Sequence, residues 1–246
     1  MKIALAFFGQ LRYVDPAYVA WKQNVIDPLN ITDIYVHTWD NQIDIEKTKQ
    51  LFSPKKIMIS DNDDIKKTDQ WLENPQRKRN CVNSVYNVQS LFYSIYHSAK
   101  LVEDKYDAII LSRIDNIFFY PMKEFEIKDN EIISSTGMYN VLFDGRWQSM
   151  CDWFAIGNYE SIQKFASIGI NYRKLHDFFQ IQFHPETLIG ENTKMNKLFI
   201  NPKFKVDTEH CLAINIRQLA PPEVKFLNDI PDALKKSITP FNYKPI

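Results

Sequence analysis

Apolar positions along this chain fall into short uninterrupted runs separated by stretches of helical period. Residues 3 to 8 are apolar throughout and stop at Gly9-Gln10, the pattern of a central parallel strand covered on both faces. Asp15-Pro16 then predicts a helix start, with Asp15 as N-cap and Pro16 in the first helical position. Val19, Ala20, Val25 and Ile26 form its apolar stripe, and Asp27-Pro28 ends it. A second strand is expected at residues 33 to 40, closing on His37-Thr38-Trp39-Asp40, and a third at 56 to 60 after a helix that runs into Leu51-Phe52. Residues 61 to 83 have no apolar period and read as a mobile surface loop. Val88, Leu91, Phe92, Ile95, Ala99 and Val102 then keep helical spacing, with Asn83, Ser84 or Asn87 as the cap. That helix leads into a strand at 106 to 111.

Strand, helix and strand alternating in this way indicate βαβ units and a parallel sheet. Beyond residue 115 the spacing tightens, with strands expected at 131 to 135, 151 to 157 and 212 to 217. Helices are expected around 159 to 168 and from about 185 to 198, followed by a proline-containing tail in loops and one short helix. The expected fold is therefore α/β, a mostly parallel, Rossmann-like central sheet flanked by helices with a smaller β region after it. At 246 residues the chain reads as one large domain, residues 1–246.

Thirty basic residues balance thirty acidic ones, so no global field draws the protein to nucleic acid or anionic lipid, and any anionic ligand must be met locally. Cys81, Cys151 and Cys211 are odd in number and lack C-x-x-C spacing, which reads as reduced thiols rather than a disulfide framework or zinc site. No stretch is long enough to span a bilayer. The phosphate loop of Walker type, the G-x-G-x-x-G turn, the G-x-S-x-G elbow and H-E-x-x-H are all absent from the sequence.

Candidate chemistry gathers where strands end. In open α/β sheets, ligands collect beyond the carboxyl ends of the strands. Gly9, Gln10 and Arg12 follow the first strand, where glycine lets a ligand approach the backbone and Arg12 can fork onto a phosphate; an ordinary turn with a solvated arginine is the alternative. His37, Thr38 and Trp39 close the second strand with an aromatic plane and two hydrogen-bonding groups, though Trp39 suits a core equally well. Arg113-x-Asp115 follows the strand at 106 to 111 and can hold a cation, a diphosphate or a hydroxyl group. Asp152 stands beside Trp153 and Phe154, where burial would raise its pKa and make it a candidate base; Glu186 opens a helix and is the second candidate.

These residues, taken in order, resemble a group of glycosyltransferases encoded in capsule and lipopolysaccharide gene clusters, with relatives in large viruses. Ala6-Phe7-Phe8-Gly9-Gln10-Leu11-Arg12 is similar to that group's SGQ-x-R start, Ile34-Tyr35-Val36-His37-Thr38-Trp39 to its DVFIHTW strand, and Leu51-Phe52-Ser53-Pro54-Lys55-Lys56 to its Y-x-PK step. Tyr106 through Asp115 resembles its YD-x-V-x-x-x-R-x-D segment, and Asp152-Trp153-Phe154-Ala155-Ile156-Gly157 its later D-x-F-x-x-G. Order and spacing agree over roughly residues 3 to 200.

The resemblance implies a GT-A-type fold, a nucleotide-sugar donor and a carbohydrate or glycan acceptor. Residues 1–120 would bind the donor and 121–246 would form the acceptor side, in a protein that is cytoplasmic or peripheral at a membrane. Gly9, Gln10, Arg12, His37, Thr38, Trp39, Arg113 and Asp115 would bind donor, with Asp152 and Glu186 as catalytic acids. Such enzymes usually hold a divalent cation, Mn²⁺ or Mg²⁺, on an Asp-x-Asp motif. Here Arg113 replaces the first acid, so Asp115 alone is left as a metal ligand, and Arg113 could itself neutralise the diphosphate or pair with a nearby acid to hold the loop. A sugar nucleotidyltransferase and a non-catalytic sugar-binding module on the same scaffold are the alternative functions.

Overall fold

The computed structural model describes residues 1–61, 65, 85–118, 121–122, 125–136, 152–179, 181, 183–205 and 213–215. In chain order the strands are β1 (Ile3–Phe8), β2 (Asp33–Trp39), β3 (Lys56–Ser60), β4 (Ala108–Arg113), β5 (Asn116–Phe118), β6 (Glu131–Thr136), β7 (Phe154–Gly157), β8 (Phe199–Lys205) and β9 (Ala213–Asn215). The helices are α1 (Val14–Trp21), continued by a π-helical turn over Lys22–Ile26, then α2 (Ile45–Phe52), α3 (Val85–Leu101), α4 (Tyr159–Ala166), α5 (Ile168–Asp177) and α6 (Pro185–Met195).

Seven strands form one sheet in the order β3-β2-β1-β4-β7-β6-β8, and β5 pairs with β9 in a separate two-stranded ribbon. The run from β3 to β4 is parallel, β7 is antiparallel to both its neighbours, and β6 pairs with β8 in parallel. This is the mixed α/β, mostly parallel sheet expected from the alternation of runs and stripes.

β1 is central because every one of its side chains can be buried. Ala4, Ala6 and Phe8 enter the core beneath α3, α4, α5 and α6, while Ile3, Leu5 and Phe7 enter the core beneath α1 and α2. The small alanines on the first face allow α3 to lie close to the sheet. On the second face Phe7 meets Trp21 edge-on with centroids 4.9 Å apart, and Trp21 meets Phe118 at 4.8 Å. The Trp21 indole N–H is satisfied by the Ile114 carbonyl at 2.9 Å, which ties α1 to the segment following β4.

Several boundaries differ from the sequence expectation. Asp15 is not the N-cap of α1: Tyr13 occupies that place with φ 55°, and Asp15 lies exposed in the first turn, paired with Lys47. Asn87 is an exposed residue within α3 and not its cap, while Asn83 and Ser84 lie outside the described residues. β7 starts at Phe154, leaving Asp152 and Trp153 in the segment before it. β8 lies outside the expected strands, and it contains Pro202, a residue that argues against a central strand. At the sheet's edge, however, a missing N–H costs no ladder bond, and that is where β8 sits. α5 also falls outside the expected helices, with Gly169 in its first turn. Apart from Asp61 and the buried Ile65, the expected loop at 61 to 83 lies outside the described residues, as do the three cysteines and the tail beyond 215.

Gly169 has a packing reason. A Cβ there would lie 2.5 Å from Tyr96 Cβ and 2.8 Å from the Phe92 carbonyl oxygen, so α5 crosses α3 at a point where only hydrogen fits. Gly169→Ala should therefore push the two helices apart and destabilise the protein by roughly 1–3 kcal/mol. A lowered urea midpoint is the expected outcome, and an unchanged midpoint would show that α5 does not dock as described.

Candidate active site

The parallel order β3-β2-β1-β4 contains a topological switch. From β1 the chain moves outward to β2 and β3, then returns through α3 to place β4 on the other side of β1. Loops leaving β1 and β4 diverge there and open a crevice at the carboxyl ends, the usual ligand position in an open α/β sheet. A cavity of about 330 Å³ occupies this place, with Gly9, Arg12, Trp39, Ser94, Arg113 and Asp152 among its walls.

Gly9 makes the turn out of β1. Its φ of +93° suits glycine, and its N–H donates to the His37 carbonyl at 3.2 Å. A Cβ at Gly9 would meet nothing within 4 Å, so the backbone faces open space. Arg12 follows, partly buried. Burial pulls its guanidinium below the usual value, the Asp115 carboxylate opposes that, and Arg113 adds to the lowering.

At the end of β4, Arg113 grips Asp115 through two parallel hydrogen bonds, Nε to Oδ1 at 2.9 Å and Nη2 to Oδ2 at 2.7 Å. Asp115 is fully buried, whereas Arg113 reaches the cleft wall. The pair fixes the guanidinium plane, as a fork-to-fork contact does.

Asp152 is delivered by the segment before β7. The Trp153 carbonyl accepts from the Arg113 backbone N–H at 2.9 Å, from Asn116 Nδ2 at 3.0 Å and from Ser112 Oγ at 3.3 Å. This holds the neighbouring Asp152 at the cleft beside Arg113. Burial raises the Asp152 pKa, with Arg113 and His184 opposing and Asp115 reinforcing. Glu186, in the first turn of α6, is pushed up to about 7, first by burial and then by the Asp152 charge. His184 Nδ1 lies 3.9 Å from Glu186 Oε2, and burial lowers the His184 pKa against the pull of Asp152. Arg12, Arg113, Asp115, Asp152, His184 and Glu186 thus share one electrostatic neighbourhood.

Six of the ten expected site residues line the cleft: Gly9, Gln10, Arg12, Trp39, Arg113 and Asp152. Asp115 stands behind Arg113, and Glu186 follows Pro185, itself part of the wall. His37 and Thr38 do not face the cavity. His37 is buried behind Trp39, bonded to Ser60 Oγ at 3.0 Å and stacked on His97 with centroids 5.7 Å apart. Burial brings its pKa to about 3, so its ring is neutral. Thr38 is fully buried as well. Strand alternation turns Thr38 to the opposite face from Trp39, whereas His37 shares the Trp39 face and is enclosed by Tyr93 and His97 of α3. The expectation also omitted one whole wall, made by Tyr86, Asn87, Ser90, Leu91 and Ser94 of α3. The available signal was Ser90, Ser94 and Ser98, polar residues at intervals of four beside an apolar helical face.

The Asp115 position does not fit a divalent cation as it stands. Both carboxylate oxygens are taken by Arg113, and no group of three or more potential ligand side chains exists among the described residues.

No family model matches the chain, and no curated protein matches it. Solved structures to which the chain is similar include mouse xyloside xylosyltransferase 1 in its apo form, at 10% identity and TM-score 0.46, covering 82% of this chain and 84% of that one. The galactosyltransferase LgtC with donor and acceptor sugar analogues is similar at 13% identity and TM-score 0.48, covering 83% of this chain and 74% of that one. Among the described residues, no helix is long and apolar enough to cross a membrane.

The raised Glu186 pKa has a consequence for stability. The folded protein holds this proton up to about pH 7, whereas an ordinary glutamate releases it near 4.5, so the group's stabilising contribution is full below 4.5 and is lost as pH rises through 7. Glu186→Gln, which cannot titrate, should gain stability relative to the native chain between pH 5 and pH 8, on the order of 2–3 kcal/mol. Urea titrations of both proteins at the two pH values measure this. A difference that does not vary with pH would mean that Glu186 ionises normally.

Proposed function

We propose that the protein is a glycosyltransferase that moves a sugar from a nucleotide-sugar donor to a carbohydrate or glycan acceptor. The observation that carries this reading is the crevice at the β1/β4 switch, whose walls include two guanidinium groups, Arg12 and Arg113, and the Asp152 carboxylate. The ordered resemblance of the strand-end motifs supports the same reading. The donor half is residues 1–120, and the acceptor half is 121–246.

In such a transfer the acceptor oxygen bonds to the anomeric carbon as the bond from that carbon to the diphosphate breaks. Negative charge grows on the departing phosphate oxygen, and meeting that charge is the main catalytic task. Among the described residues, Arg12 and Arg113 are the cations lining the crevice, and Asp115 holds Arg113 in plane. Fixed in advance, such donors need no reorganisation as charge develops. Gly9 leaves room for the donor against the backbone, and Trp39 supplies an apolar wall.

The acceptor's proton needs a carboxylate if configuration inverts. Asp152 lines the cleft, and Glu186, with its pKa brought to about 7, is tuned to exchange a proton near neutrality. The two form a coupled pair, with Asp152 as the contact and Glu186 as the reservoir behind it. If configuration is retained, the same acids position the acceptor.

Incubation with radiolabelled UDP- and GDP-sugars, with and without EDTA, tests the function directly. Transfer or donor hydrolysis is expected, and it should persist in EDTA because guanidinium groups meet the diphosphate. Binding without turnover would make the protein a sugar-nucleotide binding module. Arg12→Ala should lower kcat/KM by roughly 10²- to 10³-fold with the fold intact. Native-like turnover in that variant would remove Arg12 from the diphosphate site.

A further inference from the structure

α3 carries Ser90, Ser94 and Ser98, spaced four residues apart, so their hydroxyl groups stand nearly one above another on a single face. The deepest, Ser98, donates to the Phe7 carbonyl of β1 at 2.9 Å and docks the helix on the sheet. One and two turns toward the start of the helix, Ser94 and Ser90 pass beyond the end of β1, and both line the cleft that also contains Gly9, Arg12 and Arg113.

Neither Ser90 Oγ nor Ser94 Oγ has a hydrogen-bond partner, although both atoms are shut off from solvent and Ser94 as a residue is fully buried. A serine inside a helix commonly returns its proton to the carbonyl four residues back; here neither does. A buried hydroxyl without a partner is costly, and such groups in native proteins call for a reason. Both lie in the wall of a cavity large enough to admit a ligand.

We infer that Ser90 and Ser94 recognise sugar hydroxyl groups of the bound donor, those of the ribose or of the transferred hexose. This rests on the glycosyltransferase reading and names residues for its donor site. A serine hydroxyl both donates and accepts, which matches a sugar hydroxyl. The phosphates have Arg12 and Arg113 in the same cavity, with full charges that a neutral hydroxyl does not rival. Trp39, also in the wall, offers an apolar face to a ring's C–H groups.

The test uses the full chain and the variants Ser94→Ala, Ser90→Ala and Ser98→Ala. Calorimetric titrations with UDP, GDP, UDP-glucose, UDP-galactose and GDP-mannose give Kd, and thermal melts of the ligand-free proteins give Tm. Ser94→Ala should weaken the ligand that the native chain binds by roughly 10- to 100-fold, with Tm unchanged or raised, because it deletes an unsatisfied buried hydroxyl. Ser98→Ala should do the reverse, lowering Tm and sparing Kd. Ser90→Ala gives the same reading as Ser94→Ala one turn nearer the mouth, and decides the matter should Ser94→Ala fail to fold. Equal losses for a bare nucleoside diphosphate and its sugar conjugate assign the hydroxyls to ribose; a loss confined to the conjugate assigns them to the transferred sugar. Unchanged Kd in both serine variants, or a fall in Tm matching that of Ser98→Ala, overturns the inference while leaving the proposed function standing. A native chain that binds none of the five probes overturns both.

Discussion

The Trp153 carbonyl holds the two parts of the sheet together at the one place where the cleft needs them joined. Up to β4 the strands are parallel and connected through helices; β7 enters antiparallel, so nothing in the parallel pattern dictates how its leading segment meets the end of β4. Donors from Ser112, Arg113 and Asn116 converge on that single oxygen. Two of them are side chains bracketing the Arg113-x-Asp115 turn, so the same bonds that seat β7 also fix the turn. Asp152 is one residue from the anchored carbonyl and shares its constraint. Each such bond contributes only about 1 kcal/mol net, but a buried acceptor left unsatisfied costs more, which makes the arrangement specific as well as stable.

A chain with no net charge must create its local field by position. Here it does so by placing Arg12 and Arg113 on adjacent strand ends and screening their mutual repulsion with Asp115, which is buried between the sheet and the cleft wall. Paired cations in one crevice would otherwise repel strongly at low effective dielectric. Asp152 stands beside Arg113, and Glu186 lies behind it in the first turn of α6; burial leads for both acids, which hold their protons more tightly than usual. Fixed positive charge and proton-holding acids therefore meet in one neighbourhood. The proposed transfer needs both, since anionic character develops at one end of a bond and a proton leaves at the other.

The sequence was most legible where burial is two-sided and continuous. Ile3–Phe8 and residues 108–111 are apolar because both their faces are covered, and each run ends where polar residues begin. The strand-end rule then located Gly9, Arg12 and Arg113 at the cleft without knowledge of any contact. Legibility failed where a rule depends on context that no local window contains. Pro202 forbids a central strand but not an edge strand, and Gly169 weakens a helix only if nothing must pass close to it. His37 and Trp39 share a strand end, yet only the tertiary packing of α3, with Tyr93 5.6 Å from His37 and 5.4 Å from Trp39, decides that the histidine is enclosed. Asp115 was readable as a candidate ligand carboxylate, and Arg113 as a cation that pairs with a nearby acid; that the two are partners of each other shows only in three dimensions.

α3 shows why one cleft wall escaped notice. Its buried face is continuous from Val85 to Ala99 and accounts for the helix by itself, so the serines within it pass as tolerated substitutions. Their spacing gains meaning only beside β1. Ser98 finds a strand carbonyl, while Ser94 and Ser90, continuing the same line, run out of strand and find none. A helix longer than the strand it packs on must project its surplus turns over the strand's end, and whatever faces inward there borders the crevice. In this fold the surplus turns carry hydroxyl groups rather than leucines, although Leu91 shows that an apolar residue is accommodated in the same wall. Apolar residues at 90 and 94 would satisfy the core equally well and remove two unpaired polar atoms. At 90 and 94 the conflict between local stability and the residues present falls at the cleft, which is where function commonly overrides the preferences of the core.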